Sequence, residues 1–183
     1  MTAEEMLRLP RGHFRAELVN GELELMPLSG HPHGRIVVRL SVPLAQFIWD
    51  HGLGEVYGAE TGFQLTSNPD TVLGPDVSFV SNKRLNEAIK TEGYFNGSPD
   101  LAVELLSPGD RAGRVRKKTL QWLNCGARQV WIVDPKDGTV SVHRSEQDVT
   151  RFSGADHLEA GDLLPGFRLS LDRIFGPTPT SSS

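Results

Sequence analysis

The chain has 183 residues, 38% of them hydrophobic and 23% charged, with a formal net charge of −4. Those values exclude the low-hydrophobicity signature of disorder and suit one folded domain whose core needs neither disulfides nor structural metal. The acidic balance excludes a protein that coats nucleic acid through many Lys and Arg contacts to phosphates, so any such contact has to be local.

Cys125 is the only cysteine, which rules out an internal disulfide. The start of the chain lacks a basic stretch followed by an apolar secretory segment, and no run approaches the roughly 18 apolar residues of a membrane span. A cytoplasmic protein with no membrane role is expected.

Residues 14–27 alternate apolar and polar side chains around Asn20-Gly21, a strong two-residue hairpin signal, so the fold should open on two antiparallel strands. Ser29 then offers an N-cap, and Ile36, Val37, Leu40, Leu44, Phe47 and Ile48 recur at helical spacing up to the glycines of 51–54. This predicts a helix, with Pro43 able to kink it. Residues 55–66 and 72–80 read as paired strands separated by the turn-forming Ser67-Asn68-Pro69-Asp70. The polar stretch 81–99 reads as a short surface helix and a loop.

Asp100 to Leu106 is a nearly continuous apolar run, as a central strand covered on both faces requires, and Ser107-Pro108-Gly109-Asp110 stops it. A helix from about Arg111 to Asn124, closed by Gly126, leads to an apolar strand over 129–134, which makes a βαβ unit. Asp137-Gly138 turns that strand into another over 139–144, and 148–152 adds a short one. The whole reads as an α/β (α+β) fold with a central mixed sheet flanked by helices and an N-terminal β-hairpin. One domain spans 1–176, and the Pro/Thr/Ser segment 177–183 is expected to be a disordered tail.

Glu104 is the anomaly in this pattern. A carboxylate among Leu101, Val103, Leu105 and Leu106 is costly to bury alone and calls for a partner or a metal. Asp76 has the same character, following Gly74-Pro75 at the start of the apolar Val77, Phe79 and Val80. Two separate strands therefore present inward acids. On the following helix, with Val115 at zero and about 100° per residue, Trp122 falls near −20°, Thr119 near +40° and Leu123 near +80°. Lys118 falls near −60°, beside Trp122, whereas Lys117 points to about 200° and solvent. Two or three carboxylates with one lysine suit phosphodiester hydrolysis. The acids hold Mg²⁺ or Mn²⁺, and the lysine orients the nucleophile or offsets developing charge.

Several segments together carry a resemblance: Gly-Pro-Asp-Val at 74–77, Pro-Asp-Leu-Ala-Val-Glu-Leu-Leu-Ser-Pro at 99–108, Lys118 with an aromatic four residues later, and Val-Trp-Ile-Val-Asp-Pro at 130–135. With Glu17-Leu-Val-Asn-Gly-Glu22 and His33 they span residues 14–145, and the chain resembles the Uma-type family of restriction-endonuclease-like proteins. The resemblance implies the PD-(D/E)XK nuclease fold, with Asp76 and Glu104 as the two acids that bind metal. Leu106 stands where that pattern has its lysine, and the family's lysine on the following helix would be Lys118. It also implies Glu22 as an additional acid, His33 as a group projecting into the same cleft, DNA as the substrate, and homodimerisation.

The plainer readings are a structural Glu104–Lys118 ion pair, Asp76 as a turn or capping residue, Asp100 as a strand-edge acid, and Glu17, Glu22 and Glu24 as solvated hairpin residues. His31-Pro32-His33 does not supply a closed tetrahedral zinc set, and Cys125, Ser29 and Ser107 lack nucleophile contexts. Arg111, Arg114, Arg116, Lys117 and Lys118, with Arg128, form a local basic cluster able to touch phosphates. The favoured function is a metal-dependent DNA endonuclease with Asp76, Glu104, Lys118, Glu22 and His33 in its site. The alternatives are a catalytically silent member of the same fold that binds nucleic acid or protein, and a homo-oligomeric interaction module.

Overall fold

The computed structural model describes residues 1–10, 15–87 and 93–176, so the expected tail lies outside the described residues. A short helix α1 (Ala3–Leu7) precedes the expected hairpin of β1 (Arg15–Val19) and β2 (Glu22–Met26). Asn20 and Gly21 connect these strands with φ of 51° and 79°, the paired left-handed geometry that matches strand twist in a two-residue turn. Helix α2 (His31–Asp50) buries Ile36, Leu40, Leu44 and Ile48 and contains Pro43. Its N-cap is Gly30 rather than Ser29, and no side chain caps it. Proline near the first helical position supplies the pre-set φ that makes a side-chain cap dispensable.

The two strand readings that follow do pair, but each breaks in two. Strands β3 (Gly54–Gly58) and β4 (Phe63–Thr66) run antiparallel to β6 (Val77–Ser81) and β5 (Thr71–Leu73), respectively. Pro75 cannot donate to a ladder, and at Gly74-Pro75 the ribbon leaves one sheet and enters another. The polar stretch holds α3 (Asn82–Glu87) and a two-residue strand, β7 (Phe95–Asn96), which extends the first sheet to the order β2-β1-β5-β4-β7.

The βαβ unit is present as β8 (Leu101–Leu105), α4 (Ala112–Asn124) and β9 (Gln129–Asp134), with β8 and β9 parallel. Strands β10 (Thr139–His143) and β11 (Val149–Phe152) complete a mixed six-stranded sheet of order β11-β10-β9-β8-β6-β3. A hairpin of β12 (His157–Glu159) and β13 (Arg168–Ser170), spanned by a 3₁₀ turn (Gly161–Leu163), then leads into α5 (Leu171–Phe175).

Both faces of the six-stranded sheet are covered, which is why β8 and β9 read as unbroken apolar runs. Val103, Leu105, Trp131 and Val133 pack with α2 and the C-terminal elements. Ala102, Val130 and Ile132 pack with Trp122 of α4 and with Phe63 and Leu73 of the five-stranded sheet. Alternation puts Glu104 on this second face, under α4. The hairpin is covered twice as well: Leu18 joins Ala3, Met6 and Val72 in a small core, whereas Arg15, Glu17 and Val19 face the other way, toward β8 and α4.

Candidate functional site

Asp76 extends the β6–β8 ladder by one residue. Its backbone N–H donates to the Val103 carbonyl at 2.9 Å, and its Oδ2 accepts the Leu105 N–H at 2.9 Å. It therefore grips the two residues that flank Glu104, and this places carboxylates from neighbouring strands at one sheet end. Asp76 is buried, and the Arg15 guanidinium lies 3.0 Å from its Oδ1. Nη2 of Arg15 donates to the carbonyls of Ala59 and Gly74, so the same arginine fixes the sheet-to-sheet crossing. His33, from the first turn of α2, brings Nε2 within 3.4 Å of Asp76 Oδ2. Burial alone would raise the Asp76 carboxyl, but His33, the Leu105 N–H and Arg15 outweigh it and hold the group below its ordinary range. The hydrogen bond to Asp76 raises His33 against the opposing effects of burial and Arg15.

Lys118 is the lysine turned toward the sheet, and Lys117 is exposed, as the helical spacing predicts. Its Nζ sits 2.9 Å from Glu104 Oε2 and 2.8 Å from Glu17 Oε1. Trp122, one turn later, donates its indole N–H to Glu104 Oε1 at 2.8 Å. Burial, with the negative charges of Glu17 and Asp76, pushes Glu104 up to about 7 even though Lys118 pulls it down. Burial would lower Lys118, but the two carboxylates dominate, so it is held protonated. A cleft of about 450 Å³ opens over Arg15, Glu17, His33, Asp76, Glu104 and Lys118.

The structure thus brings together Asp76, Glu104, Lys118 and His33 from the sequence expectation. Glu22 is not brought in: it is exposed at the turn end of β2, opposite Val19. The hairpin acid that reaches the group is Glu17, buried at 3% exposure, which also accepts the Gly74 N–H at 3.0 Å. Glu17 and Arg15 were missed because a hairpin's polar face normally meets water, and here α4 and β8 cover it. One signal was available. An Asn20-Gly21 turn sets Glu17 directly opposite Glu24, and like charges in that position are unfavourable unless cations lie nearby. Asp100, expected at a strand edge, is buried at the far end of β8. It accepts the Ser81 N–H at 2.7 Å and pairs with Arg84 at 3.2 Å, a structural bolt rather than a ligand.

Among the described residues no three of His, Cys, Asp and Glu stand together as a closed metal cage. Asp76 and Glu104 form an open pair instead. Asp76 Oδ1 and both Glu104 oxygens each have one partner, which leaves acceptor capacity. Three carboxylates, Glu17, Asp76 and Glu104, face two permanent cations, Arg15 and Lys118, so the cleft is short of positive charge. Magnesium typically takes one or two protein carboxylates and completes its shell with water and substrate phosphate. The donor set fits such an ion.

The chain matches the Uma2 family model, described as "Putative restriction endonuclease", over residues 3–172. Its fold is similar to that of a "putative nuclease belonging to DUF820 from Anabaena variabilis", known from a crystal structure. The TM-score is 0.80 at 22% identity, covering 96% of this chain and 97% of the other. A search of curated proteins finds no match.

Proposed function

Because the chain belongs to the Uma2 family of restriction-endonuclease-like proteins, we propose that it is a metal-dependent nuclease hydrolysing DNA phosphodiester bonds. The observation that carries this reading is the meeting of the Lys118 amine with Glu104, 2.9 Å apart, in the cleft that also holds Asp76 and His33. Asp76 and Glu104 would hold Mg²⁺ or Mn²⁺. When bound, the ion supplies Lewis acidity toward the phosphate and lowers the pKa of its water. Lys118, kept protonated, offers a fixed positive donor to the charge that develops on phosphate oxygens. Glu17 holds the lysine in place and, through Gly74, fixes the turn before Asp76. Trp122 orients Glu104, and His33 and Arg15 keep Asp76 ionised. Glu22 has no step in this scheme.

The test is a cleavage assay on plasmid DNA with Mg²⁺ or Mn²⁺, comparing the parent with Lys118→Ala and Glu104→Ala. Metal-dependent cutting by the parent is expected, with a loss of roughly 10²-fold or more in each variant. Calorimetric titration should show divalent-cation binding that disappears in Asp76→Ala. A parent that cuts nothing with either metal would overturn the assignment.

One observation favours a second reading. Lys118 already satisfies two carboxylates, and Arg15 already satisfies Asp76, as in a structural ion network. On that reading the cleft binds nucleic acid or a protein without hydrolysis. Lys118→Ala would then lower the melting temperature while the parent showed no cleavage.

A further inference from the structure

Two ion pairs tie the hairpin to α4, one buried and one exposed. Glu17 and Glu24 lie directly across β1 and β2 from each other, and Arg114 and Lys118 are one turn apart on α4. The inner pair is Glu17–Lys118. The outer pair is Arg114 Nη2 to Glu24 Oε2 at 2.7 Å, with side-chain exposures of 56% and 42%. Beside this outer pair a cleft of about 540 Å³ runs between the hairpin and α4 and reaches Lys118. Arg114, Lys117 and Gln121 line it at helical spacings i, i+3 and i+7, so their donors share one strip of the helix. The cleft wall is open at Gly113, where nothing lies within 4 Å of a Cβ position. Among the described residues Lys117 is exposed and forms no ion pair, and Glu24 is the acid that holds Arg114.

Resting on the nuclease reading, we propose that this cleft is a second phosphate subsite, in which Arg114, Lys117 and Gln121 bind a DNA backbone phosphate flanking the one over Lys118. Glu24 occupies Arg114 in the free protein as an internal stand-in for that phosphate. The chemistry favours this exchange. Arginine's planar donors match a phosphate as well as a carboxylate, and an exposed ion pair is weakly held, so a backbone phosphodiester that also meets the second cation at Lys117 competes successfully. The chain's net charge of −4 makes such a local site necessary for any DNA contact.

The experiment is equilibrium binding of a 30-base-pair duplex in EDTA, so that neither metal nor cleavage enters, across a salt series. Arg114→Ala should weaken binding and reduce the slope of log K against log salt by about one. Glu24→Gln should tighten binding roughly three- to tenfold by freeing Arg114. In the double variant that gain should vanish, because it acts through Arg114. Both positions lie at the surface, with the side chains largely open to solvent, and thermal melts check that the variants fold. A gain from Glu24→Gln that persists without Arg114 would show a general charge effect and overturn the proposal, as would an unchanged slope in Arg114→Ala. Coupling without cleavage by the parent would leave the subsite standing and remove the hydrolytic reading. Cleavage without coupling would do the reverse, and a parent that binds no duplex in EDTA would remove the subsite and leave the hydrolytic reading to the cleavage assay.

Discussion

At the level of single residues the site is a competition for too few cations. Glu17, Asp76 and Glu104 crowd one cleft with Lys118 and Arg15, and Glu104 is the acid left short, titrating near 7. Glu17 and Glu22 provide the sharpest contrast, because they are five positions apart on one hairpin and differ completely in burial. Glu17→Gln removes a buried charge from Lys118 and should destabilise the protein by about 1–3 kcal/mol in urea unfolding, with lower nuclease activity. Glu22→Gln should leave stability within about 0.5 kcal/mol and cleavage unchanged. A large loss of activity in Glu22→Gln with Glu17→Gln silent would return the additional acid to position 22.

At the level of elements, the site depends on strands that end in the right place. Gly54 starts β3 with φ of 152°, and a Cβ there would stand 2.1 Å from the Val80 carbonyl oxygen. Gly54→Ala should push β3 off β6 and cost about 3 kcal/mol or more in unfolding free energy, by way of backbone strain and a steric clash. An ordinary surface change of under about 0.5 kcal/mol would contradict this. Elements with strong local signals were legible in the sequence: the Asn20-Gly21 hairpin, the periodic α2, and the β8–α4–β9 unit, whose helical wheel alone selected Lys118 over Lys117. The elements missed have two to five residues each, namely β7, β12, β13, α5 and α1. Pieces that short contain too little periodicity to register, and they form because non-local packing holds them. Leu158, Leu169, Leu171 and Ile174 fill the core beneath α2. The same limit applies to Glu17 and Arg15, whose burial follows from α4 and β8 closing over the hairpin rather than from anything in the hairpin's own alternation.

At the level of the whole molecule, the crowded acids link folding to pH. Glu104 rises from an ordinary 4.5 to about 7 on folding, so the folded state takes up a proton that the unfolded chain has released over that interval. Its contribution is present in full below about pH 4.5 and lost as pH climbs through 7. His33, also raised, adds a loss of the same sign above pH 6.5. Asp76 works in the opposite direction, since its lowered pKa contributes stability above pH 3.8 that disappears on acidification. In EDTA the stability should therefore fall between pH 5 and pH 8 by an amount on the order of a few kcal/mol, which lowers the melting temperature by several degrees for a chain of this size. Glu104→Gln, which cannot titrate, should flatten most of that fall. A divalent cation held by Asp76 and Glu104 requires both to be ionised, so it should bind more tightly as pH rises through 7 and restore stability at pH 8 but not at pH 5. A parent that melts at the same temperature across this range, with and without Mg²⁺, would mean that Glu104 is satisfied by Lys118 and Trp122 alone, and that the cleft has no deficit for a metal to fill.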